Sequence, residues 1–247
     1  MKTRITLFLS LLLAATFLYS QTSVPGGDVS GTWNLAGSPY LIEGDINIPA
    51  GQHLTIDPGV IVEFQGYYRF EVNGTIDAIG TENDSIYIKA KPGAYGHHGI
   101  KITTDSTVTD SIHFSYCYFT DGIPAGAWPD NCGAGIAVWY FDNISIQHCT
   151  FEDNVVYFGD DACGGAIALA GSDCEIYNCT FLGNEALAGG GIFFWDGSNG
   201  KLTDCYFKDN NASLEGGAVG VWVDSSPQIS GNEFINNTSE DYGGAVS

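Results

Sequence analysis

Residues 164–192 read GGAIALAGSDCEIYNCTFLGNEALAGGGI and hold one full copy of a pattern that then recurs. The copy opens on Gly164-Gly165-Ala166-Ile167 and passes Cys179, Phe181 and Asn184 before the glycines return at Gly189-Gly190-Gly191-Ile192. The glycine motif appears again as Gly216-Gly217-Ala218-Val219 and Gly243-Gly244-Ala245-Val246, with a weaker copy at Gly133-Ala134-Gly135-Ile136. A Phe and an Asn three apart recur as Phe151/Asn154, Phe181/Asn184, Phe207/Asn210 and Phe234/Asn237. Cysteine stands two before the Phe at Cys149, Cys179 and Cys205, and at Cys117 before Phe119, while Asn232 takes that place in the last copy. Two unrelated motifs that keep one period near 27 residues mark a structural repeat.

Within a copy the apolar residues alternate over very short runs, such as Ile136/Val138, Ile144/Ile146 and Cys149/Phe151. Period two over three to five residues is strand spacing, and no helix-period segment competes with it. Three such strands cannot close a core alone. Stacked on the next copy, each gains a parallel neighbour about 4.8 Å away and the inward residues fill one continuous core. The spacing therefore predicts an all-β parallel solenoid of about eight coils of three short strands. Ile167, Leu169, Ile176, Phe181, Ile192, Phe194, Leu202, Phe207, Val219, Val221, Ile229 and Phe234 should point inward. The recurrent Asn falls at a corner, where it can bond to the copy above and form a ladder, and the paired glycines fall at another.

The first half continues the pattern less regularly. Leu54-Thr55-Ile56, Val60/Val62/Phe64, Phe70/Val72 and Ile86/Ile88 alternate between Pro58-Gly59, Gly66, Asn73-Gly74 and Gly80. The solenoid is accordingly expected over 51–247, with 21–50 as an N-terminal cap over its first coil. Because the chain stops one residue past a strand, the helix is expected either to continue beyond Ser247 or to meet a partner at an open end.

The glycine and FxxN motifs together resemble the repeat of the polymorphic outer membrane proteins, β-helical adhesins of bacterial surfaces. Leu54–Ala90, with its Pro-Gly-Val, Val-Asn-Gly-Thr-Ile and Ile-Gly-Thr steps, is similar to the first coils of secreted bacterial right-handed β-helix proteins. The resemblance implies a right-handed, single-stranded parallel β-helix at the cell surface. It implies adhesion or glycan binding more readily than any one reaction, because the scaffold also hosts lyases and hydrolases.

Composition and address agree with that class. Lys2 and Arg4 precede an apolar run from Ile5 to Leu18, followed by Tyr19, Ser20 and Gln21, which is the layout of a signal peptide over 1–20. No later apolar stretch is long enough to span a bilayer. The formal charge of −21 argues against nucleic acid and anionic lipid as partners. Extracellular glycans or surface proteins are the expected partners, at a secreted or cell-surface location.

Four groups of residues are candidates for chemistry. Cys132 and Cys163 each lie four before the aliphatic residue of their copy, in equivalent positions of successive coils, and adjacent coils bring such α-carbons within disulfide reach. Cys132 is therefore expected to bond Cys163, with Cys117, Cys149, Cys179 and Cys205 stacked as thiols inside and Cys174 in the core. Asp142, Asp173, Asp196 and Asp224 recur in the turn after one strand; stacked carboxylates either bind calcium or form a solvated acidic edge. Gly159-Asp160-Asp161 resembles the paired aspartates of polygalacturonase-type hydrolases, but the Gly-His-Gly and Arg-Ile-Lys that accompany that pair are missing. Finally, Trp139, Trp195 and Trp222 share one outward register, with Ala170 between the first two. Rings in a row suit stacking on sugars; equally, the segments 121–133 and 155–163 can fold over them.

A non-catalytic surface protein for adhesion or glycan binding is the resulting expectation. The alternative is a polysaccharide lyase or glycoside hydrolase with its catalytic residues in those two segments or beyond Ser247.

Overall fold

The computed structural model describes residues 20–103, 110–157, 159 and 162–247. The expected signal peptide lies almost wholly outside them, and so do Asp160 and Asp161.

Three parallel sheets run along the chain, and each coil visits them in turn. The first holds nine strands from Thr22–Val24 to Glu233–Ile235, the second eight from Gly27–Asp28 to Val219–Val221, and the third eight from Gly31–Trp33 to Gln228–Ser230. Each strand pairs with its equivalent one coil away, as Ile136–Trp139 does with Ile167–Ala170 and that strand with Ile192–Trp195. This is the expected β-helix, with eight full coils and the start of a ninth among the described residues.

The core follows from the alternation. Of the twelve residues expected inward, nine are fully buried, while Val221, Ile229 and Phe234 pack half-buried at the last coils. Phe119, Phe151, Phe181, Phe207 and Phe234 stack face to face, with centroids 4.5–5.1 Å apart. At the next corner Asn154, Asn184, Asn210 and Asn237 form a ladder: each Nδ2 donates to the following Oδ1 at 2.9–3.1 Å. Each Nδ2 also donates to the carbonyl of a Phe one coil back, as Asn184 does to Phe151 at 3.0 Å. Every polar atom of these buried amides is thereby engaged, which is what allows them inside.

The paired glycines meet two separate demands. Gly164, Gly189 and Gly216 adopt φ near +63°, where a side chain is strained. Their successors Gly165 and Gly190 lie so close to the coil above that a Cβ would collide with the carbonyls of Gly190 and Gly217.

Cysteine behaves at its corner as asparagine does at its own. Cys117 Sγ donates to Ala78 O at 3.2 Å and Cys179 Sγ to Ile146 O at 3.4 Å, each reaching the preceding coil. Asn232 performs the same task through Nδ2 to Leu202 O at 2.9 Å, which explains why it can replace cysteine. All five thiols outside the bonded pair are buried.

Two features differ from the sequence reading. Residues 22–48 are no separate cap: Tyr40–Ile42 and Ile46–Ile48 pair onto the first and second sheets, and Thr22–Val24 onto Tyr40–Ile42. The end coil is closed by the stacked pair Trp33 and Tyr40, 4.6 Å apart. The later coils also carry a fourth short sheet, Glu185–Ala188, Asn211–Glu215 and Thr238–Ser239. Its inward residues are mainly alanines, Ala186, Ala188 and Ala212, too small to stand out as an apolar alternation.

Candidate ligand-binding site

The outer face of the second sheet carries two rows of side chains. One runs Lys101, Ala137, Ala168, Phe193 and Gly220; the other runs Trp139, Ala170, Trp195 and then Trp222, which follows Val221. Small residues in both rows leave room above the sheet, and the segment 121–133 fills it. Trp128 from this segment lies 6.0 Å from the ring of Trp139 and 5.1 Å from that of Trp195, bridging the gap that Ala170 leaves between them. Ala170 is fully buried as a result.

Beyond Trp128 the face stays open as an apolar trough of about 200 Å³. Trp128, Trp195 and Trp222 wall it, with Phe193, Leu187 and Cys163 between them. Phe193 supports Trp222 from below, at 5.4 Å and near a right angle. The expected row of three tryptophans is thus divided. Trp195 and Trp222 line the trough; Trp139 is half-buried behind Trp128 and does not. The third wall is Trp128, which the repeat could not reveal because it lies in a segment outside the repeat register.

Several side chains fix that segment. Lys101, only 3% exposed, donates from Nζ to Asp130 O and Cys132 O at 2.8 Å and to Pro129 O at 3.3 Å. Burial pushes its pKa down to about 7, while the charge of Asp130 opposes that shift. Arg69 pairs with Asp130 at 3.1 Å, and the Tyr67 hydroxyl donates to Ile123 O at 2.8 Å. His98 Nε2 lies 2.9 Å from Ala125 O, and burial, with the charges of Arg69 and Lys101, pushes its pKa down. A disulfide joins Cys132 to Cys163, with the Cα atoms 4.7 Å apart, and ties 121–133 to the segment before the next glycine corner. His97 and His98 are both buried; His97 stacks on Phe64 at 4.6 Å.

The four aspartates read as a calcium row belong to three different registers: Asp173, with Asp142, follows the Ser172/Ser198/Ser225 position by one, Asp224 precedes it by one and Asp196 by two. Asp142 Oδ1 accepts the Asp173 N–H at 3.0 Å, and Asp173 Oδ1 accepts the Asn199 N–H at 2.7 Å, so these carboxylates act as a backbone ladder that Asn199 continues. Asp196 instead accepts the Tyr140 hydroxyl at 2.7 Å, and both Asp196 and Asp224 occupy left-handed turn positions. Neighbouring N–H groups thus engage the carboxylates of Asp142 and Asp173. Among the described residues no three His, Cys, Asp or Glu side chains converge on a metal position. None of the described residues lining the trough carries a titratable side chain.

No helix among the described residues is long and apolar enough to cross a membrane. A stretch of 74 residues is 36% identical to Protein bark beetle of Drosophila melanogaster, covering 29% of this chain and 2% of that protein. No solved structure matches the chain. Residues 55–247 match the family model described as "Right handed beta helix region". With that match over most of its length, on stacked parallel coils, the chain belongs to the right-handed β-helix family.

Proposed function

We propose that the chain is a non-catalytic extracellular or cell-surface module that binds neutral glycans in the trough walled by Trp128, Trp195 and Trp222. The observation that carries this reading is the trough itself: three indole rings and Phe193 around an open apolar space. Sugar rings present C–H faces that pack on indole, and wide apolar surface left open on a soluble domain marks a contact site. The formal charge of −21 disfavours polyuronates and other anionic chains. Lys2, Arg4 and the apolar run from Ile5 support export, and the resemblance to surface-displayed adhesins supports the location.

A glycan array probed with the chain from Gln21 onward, followed by calorimetry on the hits, tests the reading. Trp195→Ala/Trp222→Ala should abolish binding while far-UV circular dichroism stays that of the parent. Unchanged binding eliminates the trough as the site. Release of unsaturated products or reducing ends from pectin, alginate or neutral polysaccharides would replace the binding reading with the enzymatic one.

A further inference from the structure

The segment 121–133 does more than shelter the sheet, because it decides how far the aromatic row extends. With Trp128 seated over Ala170, the trough ends at Trp128 and Trp195; without it, the row would run on to Trp139. What seats Trp128 is unusual. Lys101 projects from the sheet, yet its ammonium is covered and spends its three protons on the carbonyls of Pro129, Asp130 and Cys132, directly after Trp128 in the chain. A buried ammonium with fewer acceptors is expensive, so these carbonyls and the lysine fix one another. The other anchors are the Cys132–Cys163 disulfide at the segment's end, His98 to Ala125 O, Arg69 to the Asp130 carboxylate and Tyr67 to Ile123 O, and none of these takes up the carbonyls that directly follow Trp128.

We propose that Lys101 is a positioning residue that closes the trough at Ala170 by holding Trp128, so that the site receives the end of a neutral glycan rather than the middle of a long one. This rests on the reading of the trough as the glycan site. Lys101 itself touches no ligand. It acts through the backbone of 129–132.

The test compares the parent with Lys101→Met, Lys101→Arg and Trp128→Ala, using methyl β-glucoside, cellobiose and cellohexaose as probes. Hydrogen exchange over 121–133 is read without ligand, and affinities by calorimetry. Lys101→Met should speed exchange in 121–133 by about tenfold or more, with Lys101→Arg restoring part of the protection. The parent should bind cellobiose and cellohexaose within about threefold of one another, whereas Lys101→Met and Trp128→Ala should shift the preference for the hexaose over cellobiose by about tenfold as Trp139 is uncovered, whatever both lose with a wall of the trough. Unchanged exchange in Lys101→Met overturns the role of Lys101 alone. A parent that already prefers the hexaose overturns the closed end. Failure of every probe to bind the parent overturns the glycan reading and the end selection with it, and leaves the exchange result to judge Lys101. Should Lys101→Met not fold, Trp128→Ala decides the closure, since it keeps the lysine and removes a ring that is 42% exposed.

Discussion

Trp128 meets Trp195 almost edge to face, with ring centroids 5.1 Å apart and planes at 72°, although 67 positions separate the two in the chain. One ring comes from the repeat and the other from a segment outside it. Trp195→Ala should therefore weaken glycan binding by about tenfold or more, through loss of a stacking surface and of the support under Trp128. Trp139→Ala should stay within about threefold of the parent, because Trp139 lies outside the trough. Calorimetry with one glycan and both variants gives the comparison; a larger loss for Trp139 would contradict the assignment.

The asparagine ladder sets a gradient of stability. Asn184→Ala removes the Nδ2 bonds to Phe151 O and Asn210 Oδ1 and leaves the Asn154 N–H without its acceptor, all in buried surroundings. Unsatisfied buried groups cost ~1–3 kcal/mol each, so a loss of about 3 kcal/mol is expected. Asn237→Ala, at the half-buried end of the ladder, should lose about 1 kcal/mol. Urea unfolding with a common slope measures both, and equal losses would argue against the ladder.

Seven cysteines divide into two chemical kinds. Non-reducing peptide mapping should recover Cys132 linked to Cys163. Burial pushes the thiols of Cys149, Cys174 and Cys179 up, and Cys205 is raised by its hydrogen bond with Cys179 and by burial. Native protein should consequently resist alkylation at these four until it is unfolded. Fast labelling of Cys179 in folded protein would be incompatible with the stack.

Acid should act on His97. Its pKa is pushed down to about 4 by complete burial, against 6.5 for a free imidazole. The unfolded chain then binds the proton that the folded chain refuses, so stability rises with pH across this window and is lost as pH falls from about 7 through about 4. The contribution is about 3 kcal/mol. Denaturant titrations at pH 7 and pH 4.5 on the parent and on His97→Gln should show the parent losing more; equal slopes would assign the acid sensitivity elsewhere.

The fold was legible wherever a feature repeats. Phe, Asn and the glycine pair each answer a demand that every coil makes again, so their spacing alone gave the stacking. Three things escaped that logic. Residues 22–48 form coils with strands of two or three residues and none of the repeat markers, and so resembled a cap. The burial of His98 and Lys101 follows from a segment folded over them, and that of His97 from its stacking on Phe64, neither of which local alternation encodes. The aspartates looked stacked because they lie within three positions of one another, but a single residue separates a left-handed corner from the ladder position beside it. Of the candidate site, Trp195 and Trp222 were readable by register; Trp128 was not, since only tertiary contact brings it there.

Along the ladder, Asn184 and Asn210 stand 26 residues apart and Asn210 and Asn237 stand 27 apart, with the same bonds at each step. Such a chain can be shortened by whole turns as a spring can be cut. Excising 185–210 would bring Asn184 against Asn237 and carry Trp222 into the place of Trp195, beside Ala170 and within reach of Trp128, with Gly220 in place of Phe193 on a wider floor. The location of the site along the axis thus belongs to the reach of one overhanging segment, and the coils passing beneath it are interchangeable stock whose ring content tunes the width.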